Sequence, residues 1–420
     1  EARIPTIATM VPRGGFAWVT RRLMGKITIP LVTTNRINSP GIAENILAEG
    51  CADMVSMARP MLADPNFVKK SFVGLADEIN TCIACNQSCL DHTFSRKTAS
   101  CLVNPAACHE GEFDFPPKNT TKKKLAVVGA GMAGLAFSTE AARRGHEVHL
   151  FESAGEIGGQ FNLAKEVPGK EDFRETLRYF KKMIEKTGVK LYLNTKFTPQ
   201  LIDNQGFSEI VISTGVTPRR PKLEGIDHPK TIFYHELLSG KKAAGQSVAV
   251  IGAGGIGFDV ATFLTTEKSE NGQSVEDFRR EWGIDPGFAH PGGLQPVAEP
   301  STPRSLWLLQ RKTSKVGDGL AKTTGWIKRT VLARRGVRTL SGVTYLRVDN
   351  QGLHVSVDGS ERCLEVDNVV ICAGQESLRT LEAPLVSAGQ KVIIIGGADV
   401  AAELDAKRAI DQGIRIAASI

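Results

Sequence analysis

The chain has 420 residues, a formal charge of +7, and 41% hydrophobic and 23% charged residues, the proportions of an ordinary globular protein of two to four domains. Its lysines and arginines are scattered apart from Lys122-Lys123-Lys124 and Arg334-Arg335, so the charge favours anionic small molecules and gives no nucleic-acid footprint. No stretch reaches the ~18 apolar residues of a membrane span, and eight cysteines without a signal-peptide pattern point to a reducing cytoplasm.

Residues 1–75 read as the end of a β/α barrel. Pro30-Leu-Val-Thr-Thr is a short apolar strand that ends at Asn35-Arg36, and the helix Gly41–Glu49 follows it. Ala52-Asp-Met-Val-Ser-Met is the next strand and ends at Ala58-Arg59-Pro60. Barrels carry functional groups at the carboxyl ends of strands, with a phosphate site commonly after the last two. Arg36 and Arg59 occupy those positions, and a guanidinium suits phosphate; a surface salt bridge is the alternative for each. Two strand–helix units cannot close a barrel of eight, so exposed apolar edges are expected here. The chain begins at Glu1 in mid-pattern and reads as a fragment.

Cys82, Cys85, Cys89 and Cys101 follow in the order C-x2-C-x3-C-x11-C. Four thiolates in one short segment are soft ligands for iron–sulfur or zinc; unliganded structural thiols are the remaining alternative. Residues 104–121, rich in proline and polar side chains, read as a linker, with Cys108 as a bystander.

Residues 125–152 form a strand–helix–strand unit around Gly129-Ala-Gly131-Met-Ala-Gly134. These glycines permit a tight turn and the close approach of a pyrophosphate to the helix N-terminus. Glu152 ends the second strand 18 residues after Gly134, where an acid binds ribose hydroxyls. A second glycine turn, Glu156-Ile-Gly-Gly-Gln160, favours FAD over NAD. Residues 171–186 predict an amphipathic helix that ends at Gly188, and Glu209–Gly215 predicts another strand.

Residues 247–264 repeat the device with Gly252, Gly254 and Gly257, so two nucleotide units exist. A polar insertion over residues 266–303, with one helical piece from Val275 to Trp282, is expected to be a surface excursion. Ser305–Gln310 is the second strand of this unit and leads into Arg311-Lys312, a basic pair where the first unit has Glu152. An arginine there accommodates the 2′-phosphate of NADPH; a solvated basic edge is the alternative. Val366–Gln375 ends the unit. Lys391–Gly397 leads to Asp399, an acid suited to the ribityl or pyrophosphate region of a flavin, whereas Asp405 and Arg408 read as helix surface.

Several segments together resemble the bacterial 2,4-dienoyl-CoA reductases, iron–sulfur flavoenzymes related to trimethylamine dehydrogenase and old yellow enzyme. They are PLVTTNRIN, DMVSMARPMLADP, EINTCIACNQSCLD, SCLVNPAACHE, VVGAGMAGLAF, EIGGQFNLAKEVPGK, VIGAGGIGFD, LLQRK, KTTGWI and VICAGQE. The resemblance implies an α/β chain with the C-terminal remnant of a (β/α)8 barrel for FMN (1–75) and a four-cysteine [4Fe–4S] segment with linker (76–121). It further implies two Rossmann-like domains, for FAD (122–217 and 375–420) and for NADPH (218–374). Electrons would pass from NADPH to FAD, the cluster, FMN and a 2,4-dienoyl-CoA of unsaturated fatty acid β-oxidation.

By the same resemblance, Arg36, Ala58 and Arg59 would contact FMN phosphate, and Cys82, Cys85, Cys89 and Cys101 would ligate the cluster. Gly129, Gly131, Ala133, Gly134, Glu152, Gln160, Lys170 and Asp399 would hold FAD. Gly252, Gly254, Gly257, Arg311 and Lys312 would hold NADPH. The family's proton donors, a Tyr and a His, fall upstream of Glu1, so no catalytic residue is assigned in this chain. The expected partner is a small acyl-CoA in a monomeric protein. The rival readings are a related amine dehydrogenase or enoate reductase, or an electron-transfer module alone.

Overall fold

Lys124–Val128 is buried at every position after its first, the pattern of a parallel strand covered on both faces. It lies at the centre of a five-stranded parallel sheet in the order Val392–Ile394, Glu209–Ile212, Lys124–Val128, Glu147–Phe151, Lys190–Tyr192. The computed structural model describes residues 3–113, 121–202, 205–267, 272–297, 300, 302–402 and 405–420. Parts of the expected linker (114–120) and of the insertion (268–271, 298–299 and 301) lie outside them. The chain divides into two units. One comprises residues 37–162, 172–217 and 375–420 and is called here the cysteine unit; the other comprises residues 1–36, 163–171 and 218–374.

In the cysteine unit, Ala126, Val128, Phe151, Phe197, Ile210 and Ile212 form the core of one sheet face. The helix Met132–Arg143 packs closely on the helix Ala406–Ser419: a Cβ added to Gly413 would lie 2.6 Å from the Ala133 carbonyl oxygen. The amphipathic helix predicted over residues 171–186 is present as Phe173–Thr187, buries Phe173, Phe180 and Ile184, and ends at Gly188 with φ +73°.

The other unit holds a second five-stranded parallel sheet, ordered Arg338–Leu340, Ser305–Leu309, Ser247–Ile251, Asn368–Ile371, Thr231–Phe233. Alternate residues of its central strand feed opposite cores. Val248 and Val250 pack with Phe258, Val260 and Leu264 of the helix Gly255–Thr265. Ala249 and Ile251 pack under an antiparallel meander of Val343–Val348, Leu353–Val357 and Ser360–Leu364. The meander is absent from the sequence reading, although Leu353-His-Val-Ser-Val357 alternates with the period of a half-buried strand.

The expected surface excursion is corrected. Val275–Trp282 is a helix started by the Ser274 hydroxyl, which accepts from Asp277 N, and it buries Phe278 and Trp282 with Ala8, Val11, Ile284 and Ile327. Phe16 meets Phe278 edge-on at 6.2 Å, and the Arg279 guanidinium lies 4.8 Å from the Trp18 ring centre. The insertion is therefore part of a core shared with residues 4–18.

Among the described residues, the barrel remnant keeps only the two-residue strands Val32–Thr33 and Met54–Val55. Apolar side chains there face solvent, including Ile29 at 67%, Val68 at 64% and Phe72 at 91% exposure. Exposed apolar surface is what a partial barrel leaves. Among the described residues, no helix is long and apolar enough to cross a membrane.

Candidate functional site: a thiol cavity and two glycine turns

The cysteine segment is fixed by its neighbours before it reaches Cys82. Asn80 N–H donates to Asp64 Oδ2 at 2.9 Å, and the Asn80 side chain donates to the Val103 carbonyl at 2.8 Å. Arg178, on the helix Phe173–Thr187, donates to the Ile79 carbonyl at 2.7 Å and to the Thr81 hydroxyl at 3.1 Å. Asn38 Nδ2 donates to the Cys82 carbonyl at 2.8 Å. Ala84 and Asn86 take left-handed backbone, with φ of 50° and 62°, and curl the loop from Cys82 towards Cys89. A π-helical turn, Gln87–Asp91, carries Cys89; such turns recur at functional sites. Ser100 N–H donates to the Ser88 carbonyl at 2.8 Å and brings Cys101 back to the loop.

Cys82, Cys85, Cys89 and Cys101 all line one cavity of about 20 Å³, and all four are free thiols. Burial, then the neighbouring Cys101, pushes the Cys85 thiol well above its ordinary value. Burial, then Cys82, pushes Cys101 up to about 12. Burial also raises Cys89, against a lowering pull from the Leu90 amide and the Arg59 guanidinium. Backbone amides of Gln87, Leu90, Val103 and Asn104 serve these sulfurs. Buried, mutually repelling thiols ionise only around a cationic centre, which deprotonates a coordinating thiol outright. Amide donors around sulfur are the environment that tunes iron–sulfur groups. Among the described residues, no three His, Cys, Asp or Glu close on a single metal-ion position. Four thiols around one cavity, served by backbone amides, are a donor set of the kind that iron–sulfur groups take.

Within the same unit, the first glycine turn separates what the chain needs from what a ligand needs. Gly129 has φ +105°, and a Cβ there would lie 2.5 Å from the Ser213 carbonyl oxygen. At Gly134 it would lie 2.0 Å from the Gly129 carbonyl oxygen. At Gly131 it would meet no protein atom within 4 Å. The first and third glycines are thus demanded by the turn and the helix packing, and the middle one leaves open ground for a phosphate. Phe151 O accepts from Gly129 N at 2.8 Å, and Glu152 follows, its carboxylate accepting from Ala130 N at 2.8 Å and Ala154 N at 2.9 Å.

Gly158 N–H donates to the Ala130 carbonyl at 2.8 Å, and a Cβ on Gly159 would lie 3.2 Å from the Gly131 Cα. The second glycine turn therefore lies against the first. Gln160 is exposed and accepts from Gln375 Nε2 at 3.4 Å. Ala133 is buried, with its methyl 2.7 Å from where a Cβ on Gly396 would be. Asp399 accepts from Gln412 Nε2 at 2.8 Å and pairs with Arg379 at 3.5 Å.

The Gly252–Gly257 turn, in the other unit, repeats the geometry of the Gly129–Gly134 turn. A Cβ on Gly252 (φ +107°) would lie 2.3 Å from the Cys372 carbonyl oxygen, and on Gly257 1.7 Å from the Gly252 carbonyl oxygen; Gly254 has nothing within 4 Å. Leu309 pairs with Ile251 as Phe151 pairs with Val128, and Leu309 O accepts from Gly252 N at 2.9 Å. This register corrects the expected position of the basic pair by one residue. Gln310 stands in the place of Glu152, and the exposed Arg311 and Lys312 come next. Gln310 Nε2 donates to the Lys312 carbonyl at 3.1 Å. Sequence reasoning missed Tyr345, whose buried hydroxyl has no partner among the described residues and whose phenol is raised by burial, with Arg311 as the charge pulling it down. Lys170 also belongs to this unit, where Asp259 on the helix Gly255–Thr265 pairs with it at 2.5 Å and with Lys328 at 2.8 Å.

The barrel residues divide. Arg36 is 5% exposed and donates to the carbonyls of Val11 at 2.7 Å and Thr9 at 3.4 Å. Ala58 is exposed and caps the short helix Arg59–Ala63. Arg59 lines the thiol cavity and donates to Asn86 Oδ1 at 2.5 Å.

Residues 123–409 match the pyridine nucleotide-disulphide oxidoreductase family, and residues 1–78 match the NADH:flavin oxidoreductase / NADH oxidase family. A metal reductase of Desulforamulus reducens is 32% identical over 95% of this chain and 59% of its own length. A cinnamate reductase of Clostridium sporogenes is 31% identical over 58% of this chain and 36% of its own. Among solved structures, a 2-naphthoyl-CoA reductase in complex with 2-naphthoyl-CoA aligns over 100% of this chain and 58% of its own, with TM-score 0.85 and 28% identity. The chain thus spans less than two thirds of the length of each.

Proposed function

The chain belongs to the pyridine nucleotide-disulphide oxidoreductase family, and from that premise we propose that it is the electron-delivering part of an iron–sulfur flavoprotein that reduces a conjugated acyl-CoA. The assigned donor is NADPH and the assigned substrate a 2,4-dienoyl-CoA. The observation that carries this reading is that the four-thiol cavity and the first glycine turn occur in one unit. A soft-ligand site in the same unit as a dinucleotide fingerprint is the pairing that an iron–sulfur flavoprotein requires.

The chain's own residues place the groups. Cys82, Cys85, Cys89 and Cys101 would ligate a [4Fe–4S] cluster. Gly131 leaves room for the FAD pyrophosphate, and Glu152 is available to ribose hydroxyls. In the other unit Gly254 leaves the same room for NADPH, and Arg311 and Lys312 would meet its 2′-phosphate. When bound, the flavins and cluster would supply hydride and single-electron chemistry, which no side chain here can provide. Likeness to enzymes named for reducing cinnamate and binding naphthoyl-CoA supports an activated carbon–carbon double bond as the target. The match of residues 1–78 to the NADH:flavin oxidoreductase / NADH oxidase family supports FMN as the second flavin, with Arg36, Ala58 and Arg59 towards its phosphate, and two strand–helix units of a barrel are too few to supply the acyl-CoA step.

The test is stopped-flow absorbance on anaerobic protein loaded with FAD, iron and sulfide. NADPH should reduce the flavin and support an artificial acceptor, and iron should be retained at the level of one cluster per chain. Zinc in place of iron, or a flavin indifferent to NADPH, overturns the assignment.

A further inference from the structure

Two side chains of the thiol cavity are left over once the four cysteines are counted as ligands. Ser88 is 1% exposed and lines the cavity, yet its hydroxyl has no hydrogen-bond partner among the described residues. A buried hydroxyl without an acceptor is destabilising, so an acceptor supplied by what the cavity holds accounts for it. Among the described residues, Arg59 is the one cationic residue lining the cavity. Its guanidinium is tied to Asn86 Oδ1 at 2.5 Å, on the left-handed residue between Cys85 and Cys89.

We infer that Ser88 and Arg59 are positioning residues that set the reduction potential of the metal–sulfur group held by the four cysteines, Ser88 by donating a hydrogen bond to sulfur and Arg59 by its charge. This rests on the reading that the cavity takes an iron–sulfur cluster. Accepting an electron adds negative charge to such a group. A donor to sulfur and a fixed cation both favour the reduced form, and hydrogen bonds to sulfur and net charge are known determinants of the potential. Removing either lowers the potential, and the barrel remnant, through Arg59, acts on the cluster as well as on any flavin phosphate.

The experiment is an anaerobic redox titration of the iron- and sulfide-loaded chain, followed by electron paramagnetic resonance, with iron per chain measured in each sample. At the wild-type midpoint, Arg59→Met should lower the ratio of reduced to oxidised cluster about tenfold, a shift of ~59 mV for one electron. Arg59→Lys, which keeps the charge, should recover most of it. Ser88→Ala should lower the ratio about threefold. Unchanged potentials in both Ser88→Ala and Arg59→Met at full iron content overturn the inference and leave the cluster reading standing. Loss of iron in both variants makes the two residues structural and also overturns it. A wild-type chain that holds no iron overturns both.

Discussion

In the cysteine unit, the strand after the glycine helix is followed by Glu152, whose carboxylate accepts from the turn at Ala130 N. In the other unit the equivalent strand is followed by Gln310, whose side chain turns to the Lys312 carbonyl, and two cations come next. The turns themselves are near copies: their first and third glycines answer to backbone carbonyls and their middle glycines to nothing in the protein. What is shared is the architecture that makes a phosphate site, and what differs is the rim that meets the rest of the nucleotide. A second difference is internal. Asp259 occupies the helix position that Ala136 fills in the cysteine unit, and it is held by two lysines where Ala136 is simply buried.

The largest effect tests the shared part. Gly134→Ala and Gly257→Ala each force a methyl to within 2.0 Å and 1.7 Å of a backbone oxygen. Each should destabilise its unit by about 3 kcal/mol or more, read by denaturant unfolding. Gly131→Ala and Gly254→Ala should change stability by less than ~0.5 kcal/mol. They should part company on ligands, the first losing FAD and the second losing its response to NADPH. If Gly131→Ala retains FAD, the open ground at the middle glycine is not the pyrophosphate site.

The next effect tests the internal difference. Burial pushes the Asp259 carboxyl up, but Lys170 and Lys328 outweigh it and hold the group below the ordinary carboxylate range. Removing one member of a mostly buried ionic group leaves uncompensated charge, so Asp259→Asn should cost about 2 kcal/mol, less than a fully buried pair because each partner retains some exposure. The sign with pH follows from the lowered folded value. The contribution is complete above the unfolded carboxylate value of ~3.9 and is lost as pH falls below it, through the folded value. Wild type and Asp259→Asn should therefore converge in stability below about pH 4 and stay apart at neutral pH. Ala136 offers the cysteine unit no counterpart, so its acid unfolding should not change with this substitution.

The glycine turns, both parallel sheets and the cysteine spacing were legible in the sequence because each is a local pattern: a buried apolar run, a fixed glycine interval, thiols a few residues apart. The rest depended on pairing across long separations. Whether Arg311 or Gln310 takes the place of Glu152 is decided by the register of Leu309 on Ile251, which no local spacing states. The helix Val275–Trp282 is visibly amphipathic, but nothing in its own residues says that Phe278 and Trp282 face Ala8 and Val11. Arg59 read as a phosphate ligand from its place after a barrel strand, and its hydrogen bond to Asn86 needed the fold. Ser88 gave no signal, since an orphaned hydroxyl is defined only by what surrounds it.

The smallest effect tests the rim. A guanidinium and an ammonium beside the ribose discriminate in favour of a 2′-phosphate, and an acid in the Glu152 position would discriminate against it. Arg311→Gln combined with Lys312→Gln should lower the preference for NADPH over NADH, taken as the ratio of kcat/KM values for flavin reduction, about tenfold, equivalent to ~1.4 kcal/mol. The loss should appear in KM for NADPH and leave kcat nearly unchanged, because the 2′-phosphate is remote from the transferred hydride and contributes uniform binding. Gln310→Glu should move the preference in the same direction by a different route, adding repulsion where the double variant removes attraction. Tyr345→Phe should sharpen the picture further. Its hydroxyl is buried without a partner among the described residues, and Arg311 is the charge that acts on it, so if it serves the same phosphate its removal should weaken NADPH, raise KM a few-fold and spare NADH. An equal loss for both nucleotides would place Tyr345 under the adenosine rather than the phosphate. An unchanged preference in the double variant would make the basic pair a solvated edge, and the two rims would then differ only in the acid that one has and the other lacks.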